Sequence, residues 1–260
     1  MGRLTGFWLH RFVNWDRPSQ VGFLLAIGLC IVAIIVGVKG PESLRGPVLF
    51  GAVGLVIAAQ TIFLWANRSM VTEYTKAQRL YLKGEFTTSV IILEELRGNN
   101  QADLRALTLL GNAYRQLGQL EDSETTLLQA LVIDTEHPFP LYGLGRTRLA
   151  QGQYEEAAET IEKALANGAA EVCAFDAGEA HYRNGNIEQA IELLEKSRPY
   201  IQKEPHRVLM ATYLLHKLTD TDPPSEKLVK AGITYWKTQA KIFAHTPYGS
   251  TLTEDIAAMQ

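Results

Sequence analysis

The chain has 260 residues, of which 47% are hydrophobic, and a formal net charge of −3. This length allows more than one domain, and the lack of a large positive charge argues against nucleic acid as a partner. With only two cysteines, the sequence offers no disulfide framework and no Cys-x-x-Cys metal pair, which fits a reducing compartment.

Charge is distributed unevenly along the chain. Residues 1–69 hold six Lys or Arg and two Asp or Glu, for a net charge of +4. The remaining residues then hold 19 basic and 26 acidic side chains, for a net charge of −7. The larger C-terminal part is therefore mildly acidic and does not resemble a phosphate-binding surface.

Residues 1–19 are predicted to form an interfacial amphipathic segment. Five large apolar side chains in this segment share one face of a helix: Leu4, Phe7, Trp8, Phe12 and Trp15. Such a helix lies in the lipid headgroup layer, with its Trp rings at the interface. The alternative is an irregular tail that precedes a membrane span.

Residues 20–68 are predicted to form a transmembrane hairpin. The apolar runs 21–38 and 48–66 each approach the roughly 20 residues that cross a hydrocarbon core, and the second contains Gln60 and Thr61 near its end. The link between them is short and rich in Gly and Pro. A signal peptide is the weaker interpretation, because no small-x-small cleavage site is evident and a second apolar run follows at once.

Lys and Arg in the flanks predict the orientation of this hairpin. Seven lie in the two outer flanks, whereas the link between the spans holds only Lys39 and Arg45. Cytoplasmic segments carry the excess of Lys and Arg, so both termini and the region that follows are predicted to be cytoplasmic. Since no Gly or Pro occurs from Leu55 to Lys83, one continuous helix is predicted there.

Four glycines recur at a nearly constant interval after residue 69. Gly84, Gly118, Gly152 and Gly185 are 34, 34 and 33 residues apart. This period is typical of stacked helix–turn–helix units. Each glycine can adopt positive φ and so let the chain turn from one helix into the next.

Other positions keep the same register. A small residue lies seven positions before each glycine, and another lies five positions after it. An apolar residue follows at the ninth position: Leu93, Leu127, Ile161 and Leu194. The alternative, an ordinary helical bundle, would not keep this register across three intervals.

The pattern resembles the tetratricopeptide repeat, which reads W-x2-L-G-x2-Y, then A-x3-F, then P. Residues that carry the resemblance are Ala77, Gly84, Gly111, Tyr114, Gly118, Gly145, Gly152, Ala157, Gly178, Gly185 and Ala190. The match departs from the family where the Trp is Leu or missing, where Arg148 or His181 stands for Tyr, and where the closing Pro is displaced or missing. Residues 69–204 are predicted to hold four units, at about 70–103, 104–137, 138–170 and 171–203.

The predicted fold is therefore all-α: a two-helix transmembrane hairpin, then a tetratricopeptide-repeat α-solenoid with a C-terminal capping helix. Residues 205–260 are predicted to form a degenerate fifth unit, the capping helix and a tail. Ser225 is placed as an N-cap, and the helix is predicted to end near Phe243. Apolar side chains such as Trp236 would pack on the last repeat, and the segment from His245 is predicted to be a loop with a short helix after Thr253.

No catalytic pattern stands out. The sequence has no G-x-x-x-x-G-K-[ST], H-E-x-x-H or G-x-S-x-G motif, and its six histidines are scattered. We therefore predict no catalytic residue, no metal site and no cofactor, and we expect a protein that is not an enzyme.

The resemblance implies that the first helix of each unit lines a concave groove for a peptide or a partner's helix. The groove residues that it implies are Arg105, Thr108, Asn112, Arg115, Tyr142, Arg146, Phe175, Glu179, Tyr182 and Arg183. Arginines in an acidic domain favour an acidic partner peptide or helix, because the guanidinium binds carboxylates bidentately. The alternative is that these are ordinary solvated positions. The carboxylate clamp of chaperone-type members is not supported, since its positions are Tyr74, Gln78 and Leu109 here.

The sequence thus predicts an integral protein of a bacterial inner or plasma membrane. Its function would be that of an adaptor or scaffold whose cytoplasmic repeats bind another protein and recruit or assemble a membrane-associated complex. The alternative is a fixed accessory subunit of a larger membrane complex, bound mainly through the hairpin. The sequence assigns no oligomeric state.

Overall fold

The structure, a computed structural model, describes residues 17–68 and 72–260. Within these residues it has thirteen α-helices, a short 3-10 helix at Glu171–Cys173 and no strand, which confirms the predicted all-α class. The chain divides into two compact units, one ending at Thr72 and the other running from Glu73 to Gln260. The predicted interfacial segment lies outside the described residues, except for residues 17–19, which belong to the first helix.

The first unit is a pair of antiparallel helices, α1 (Arg17–Lys39) and α2 (Glu42–Arg68). A Cβ atom on Gly22 would lie 3.4 Å from Ile62, and one on Gly37 would lie 3.6 Å from Val48. The turn is shorter than the link in the sequence suggested, because α2 already begins at Glu42. An acidic residue in the first turn favours a helix start, and Pro47 lies inside this helix.

The side chains of α1 and α2 are largely exposed, including Leu25, Ile34 and Phe50. The segments Arg17–Lys39 and Arg45–Trp65 have mean hydropathies of 3.0 and 2.1 and are, by length and composition, able to cross a membrane. A helix that is apolar on all sides requires an apolar environment around it.

The predicted continuous helix from Leu55 to Lys83 is wrong. Helix α2 ends at Arg68, the next helix begins at Glu73, and Thr72 is not helical. Thr directly before an acidic residue is a typical helix start, and this signal indicated a new helix although no Gly or Pro was present.

The second unit is a series of helix pairs. The first four pairs are α3 (Glu73–Leu82) with α4 (Phe86–Gly98), α5 (Leu104–Gln116) with α6 (Leu120–Ile133), α7 (Pro138–Gln151) with α8 (Tyr154–Ala166), and α9 (Ala174–Asn184) with α10 (Ile187–Ile201). Three helices follow: α11 (Pro205–Leu218), α12 (Glu226–Ile242) and α13 (Pro247–Ala258).

The glycines of the repeat form the turns inside these pairs. Gly84, Gly118, Gly152 and Gly185 have φ values of +81°, +76°, +86° and +83°, in the left-handed region that glycine adopts without strain. At Gly152 the N–H donates to the Leu149 carbonyl, and the next N–H donates to the Arg148 carbonyl. This pattern ends the first helix of the pair.

The small residues of the repeat allow the two helices of a pair to touch. A Cβ atom on Gly145 would lie 2.4 Å from Cγ1 of Ile161, and one on Gly111 would lie 2.5 Å from Leu127. These glycines therefore pack directly against the apolar residues that recur in the same register.

The C-terminal helices are part of the core. Ser225 caps α12, as predicted, by accepting a hydrogen bond from the Leu228 N–H, and Trp236 is buried. Helix α13 replaces the loop predicted from His245, so that prediction was wrong. Thr246 caps α13, Pro247 is its first residue, and the buried apolar side chains follow every fourth position: Tyr248, Leu252 and Ile256.

Candidate functional site

Helix α12 lies across the first helices of the repeat units, on the face where the groove was predicted. The Trp236 indole N–H donates to the His206 carbonyl at 2.7 Å, and its ring centroid is 6.4 Å from that of Phe175. At the far end of α12, a Cβ atom on Gly118 would lie 3.0 Å from the Ile242 carbonyl oxygen. The helix thus runs from the start of α11 to the turn after α5, and it covers Phe175.

Helix α13 is held to α9 by buried charges. Arg183 lies 3.1 Å from Oε1 of Glu179 and 2.6 Å from Oδ2 of Asp255, and the Tyr248 hydroxyl donates to Glu179 at 3.0 Å. Burial raises the pKa of Glu179, and Arg183 offsets this only in part. Two of the predicted groove residues, Glu179 and Arg183, are therefore already paired within the chain.

A second buried cluster is centred on Asp176 and joins α7, α9 and α11. Its carboxylate accepts a hydrogen bond from the Tyr142 hydroxyl at 2.6 Å and lies 3.1 Å from Arg146 and 3.4 Å from Arg207. Burial acts to raise the pKa of Asp176, but Arg207, Arg146 and the Tyr142 hydrogen bond outweigh it, so the net shift is downward.

Asp176 and Arg207 are not among the groove residues predicted from the sequence. The repeat period carried a signal for one of them, because Tyr142 and Asp176 are 34 residues apart. Residues one period apart lie at similar positions on neighbouring first helices. The contribution of Arg207 depends on where α11 packs, and no period in the sequence reports that.

The predicted residues at the start of α5 have local partners. Arg105 is exposed, pairs with Asp103 at 3.1 Å and stacks over the Tyr74 ring at 5.3 Å. The Thr108 hydroxyl donates to the Leu104 carbonyl. Asn112 is half-buried and stands one turn further along the same face. Tyr182, on α9, is also half-buried, with Arg183 5.5 Å from its ring centroid.

Arg115 differs from the other arginines of this face. Its side chain is buried, with a residue exposure of 4%, and its Nε has no acceptor. Among the described residues it forms no hydrogen bond or ion pair. Burial and then repulsion from Arg146 lower the pKa of Arg115, whereas the hydroxyls of Tyr81, Tyr235 and Tyr142 act in the opposite direction.

Such an environment can bind an anion. A buried guanidinium without a partner presents donors in a fixed planar geometry that matches a carboxylate or a phosphate. Burial strengthens a charge–charge contact made at this guanidinium. Within residues 17–68 and 72–260 no group of three or more His, Cys, Asp or Glu could hold a metal. Burial raises the pKa of the Cys173 thiol to about 11.

Comparison with solved structures finds several similar chains. A double mutant of MamA RS-1 is 20% identical and covers 70% of this chain and 93% of its own, with a TM-score of 0.49. MamA from Desulfovibrio magneticus RS-1 is 18% identical over 72% and 90%, with a TM-score of 0.44. A tetratricopeptide repeat protein from Parabacteroides merdae is 14% identical over 84% and 97%, also with a TM-score of 0.44.

Comparison with protein families identifies the repeat itself. No curated protein matches the chain. Residues 104–137 and residues 142–202 each match the tetratricopeptide repeat. These matched segments cover the helix pairs α5–α6, α7–α8 and α9–α10, where glycine turns and glycine-to-Leu or glycine-to-Ile contacts recur. Residues 104–137 and 142–202 of this chain are therefore tetratricopeptide repeats.

Proposed function

We propose that this chain is a membrane-anchored scaffold that binds an acidic segment of another protein and so recruits or assembles a membrane-associated complex. A tetratricopeptide-repeat fold is a protein-interaction scaffold, which supports the general part of the proposal. The two apolar helices α1 and α2 support the anchor. The excess of Lys and Arg in their outer flanks favours a cytoplasmic location for the repeats and both termini.

The observation that carries the proposal is the unpaired Arg115. A charge buried without a partner lowers the stability of a fold, and an apolar side chain of similar volume is often more stable in its place. Sites that are retained at a cost in stability are commonly sites of function. A carboxylate from a partner would supply the acceptor that the described residues do not.

The surface for this partner follows from the helical spacing on α5. Arg105, Thr108, Asn112 and Arg115 recur at intervals of three or four and so lie along one stripe, which begins exposed and ends buried. Phe175, Glu179 and Arg183 have partners within the chain, so we place the acidic segment along α5.

Crosslinking in native membranes tests this proposal. A photoreactive residue at Asn112 should capture a partner through a segment rich in Asp or Glu. A matched residue at Glu159, which is exposed on α8, should not capture it. Arg115→Leu should remove the capture, whereas Arg115→Lys should retain part of it.

Two results would contradict the proposal. Equal capture from Asn112 and Glu159 would mean that the α5 stripe has no special role. Unchanged capture by the Arg115→Leu protein would mean that the unpaired guanidinium does not bind the partner.

A further inference from the structure

A groove runs along one side of the hairpin formed by α1 and α2. It has a volume of about 730 Å³ and is lined by side chains that recur every three or four residues on both helices. Phe23, Ile27 and Ile34 mark the wall formed by α1, and Val56, Gln60 and Leu64 mark the wall formed by α2. The α1 wall extends over the twelve residues from Phe23 to Ile34, or roughly 16 Å for eleven rises of 1.5 Å. This shape suits another helix.

Gln60 is the polar residue that stands out in this groove. Its side chain is exposed, and it forms no hydrogen bond with any residue that the structure describes. Its neighbour Thr61 differs, because the Thr61 hydroxyl donates to the Ile57 carbonyl at 2.8 Å. One of two adjacent polar groups is therefore satisfied by its own helix, and the other lacks a partner.

The depth of Gln60 makes this lack of a partner costly in a bilayer. The apolar segment of α2 runs from Arg45 to Trp65, so its midpoint is residue 55. Gln60 lies roughly 7.5 Å from that midpoint along the helix, well inside a hydrocarbon core about 30 Å thick. No water is available there, and an unsatisfied amide is unfavourable.

We propose that this groove binds the same groove of a second copy of the chain, with the two Gln60 carboxamides hydrogen-bonded across a twofold axis along the membrane normal. The proposal rests on the membrane anchor of the proposed function. It adds a partner for the hairpin, independent of the partner of the repeats.

Three features favour a second copy over a different protein. Two copies insert with the same topology, so their Gln60 side chains lie at the same depth. A carboxamide is both donor and acceptor, so two identical side chains satisfy each other in a twofold-symmetric contact. Ala26 and Ala59 in the groove wall are small and allow close approach of helix backbones.

Förster resonance energy transfer between full-length copies of the chain tests the proposed dimer. One population carries a donor fluorescent protein at the C terminus and the other an acceptor, and both are reconstituted in phosphatidylcholine vesicles at a series of protein-to-lipid ratios. Gln60→Leu should raise the dissociation constant about 3- to 30-fold, the range expected for one hydrogen-bonding side chain between membrane helices. Leu is favourable in lipid, so the hairpin itself should still insert.

Two control variants make this test specific. Thr61→Val alters the adjacent polar residue, which is satisfied within its own helix, and should leave the transfer unchanged. Gln60→Asn retains a carboxamide and should preserve part of the association. The proposal is overturned if Gln60→Leu associates as well as the unaltered chain, or if the unaltered chain shows no more transfer than an unrelated membrane protein pair. In the latter case the groove would belong to the helix of a different protein.

Extraction of the same vesicles with alkaline carbonate separates this proposal from the proposed anchor. If the chain is released, the membrane anchor is wrong and the dimer proposal falls with it. If the chain stays with the lipid and Gln60→Leu has no effect, the anchor stands and the twofold contact is wrong.

Discussion

Two arginines on the inner face of the repeats, the buried Arg115 and the half-buried Arg146, should respond in opposite ways to replacement by leucine. Arg146 forms a close ion pair with the buried Asp176, whereas Arg115 has no partner among the described residues. Removing one member of a buried pair typically costs about 3–5 kcal/mol. Asp176 would keep Arg207 and the Tyr142 hydroxyl, so we expect a loss near the lower limit, about 3 kcal/mol, for Arg146→Leu.

Arg115→Leu should instead leave the stability unchanged or raise it by about 1 kcal/mol, because an apolar side chain replaces an unpaired buried charge. For a unit of this size, 1 kcal/mol corresponds to a change of about 2–4 °C in melting temperature. The two variants should therefore melt at least about 6 °C apart.

Urea unfolding of the full-length chain in detergent micelles measures this difference. Trp236 is buried in the second unit, and its fluorescence reports the unfolding of that unit. Equal losses for the two variants, or a larger loss for Arg115→Leu, would refute the reasoning, because Arg115 would then be a structural residue. Replacement of Arg115 therefore tests ligand binding without altering other contacts within the chain. Replacement of Arg146 does not, because it also removes an ion pair of Asp176.

Three further predictions concern the packing and the buried charges of the second unit. Gly145→Ala places a methyl group 2.4 Å from Ile161 and should cost about 1–3 kcal/mol; the control Gly98→Ala meets nothing within 4 Å and should be neutral or slightly stabilising in a urea titration. Because the pKa of Asp176 is lowered in the folded state, its contribution to stability is complete above the unfolded pKa of about 3.9 and is lost as the pH falls through the folded pKa. Asp176→Asn should therefore be less stable than the unaltered chain at pH 7, and the gap should narrow below about pH 4. Tyr248→Phe removes a buried hydrogen bond to a carboxylate on α9 and should cost about 1–3 kcal/mol, seen as faster amide hydrogen exchange in α13.

The parts of this fold that could be predicted from the sequence are those that recur. Positive φ at Gly118 and the contact of Gly145 with Ile161 are local consequences of one pattern, and each further copy strengthens the inference. The start of α13 could also have been predicted, because Thr246 followed by Pro247 is a typical helix start.

The inner face could not be predicted in the same way. The phase of the repeat indicates which residues of a first helix point inward, but it does not indicate what else lies against them. Helix α12 returns across three repeat units and covers Phe175, and α13 pairs with Arg183. Both contacts join residues far apart in sequence and depend on tertiary packing, which no local propensity or period reports.

The binding of an acidic peptide tests the central proposal most directly. Fluorescence anisotropy would compare a labelled decaglutamate with a labelled decaglutamine, each added to the full-length chain in lipid nanodiscs. We expect the glutamate peptide to bind more tightly, its affinity to fall with added salt, and Arg115→Leu to weaken it about 10- to 150-fold, as expected for loss of a charge-assisted contact worth about 1.5–3 kcal/mol. Equal affinity for the two peptides, or unchanged affinity in the Arg115→Leu chain, would contradict the account.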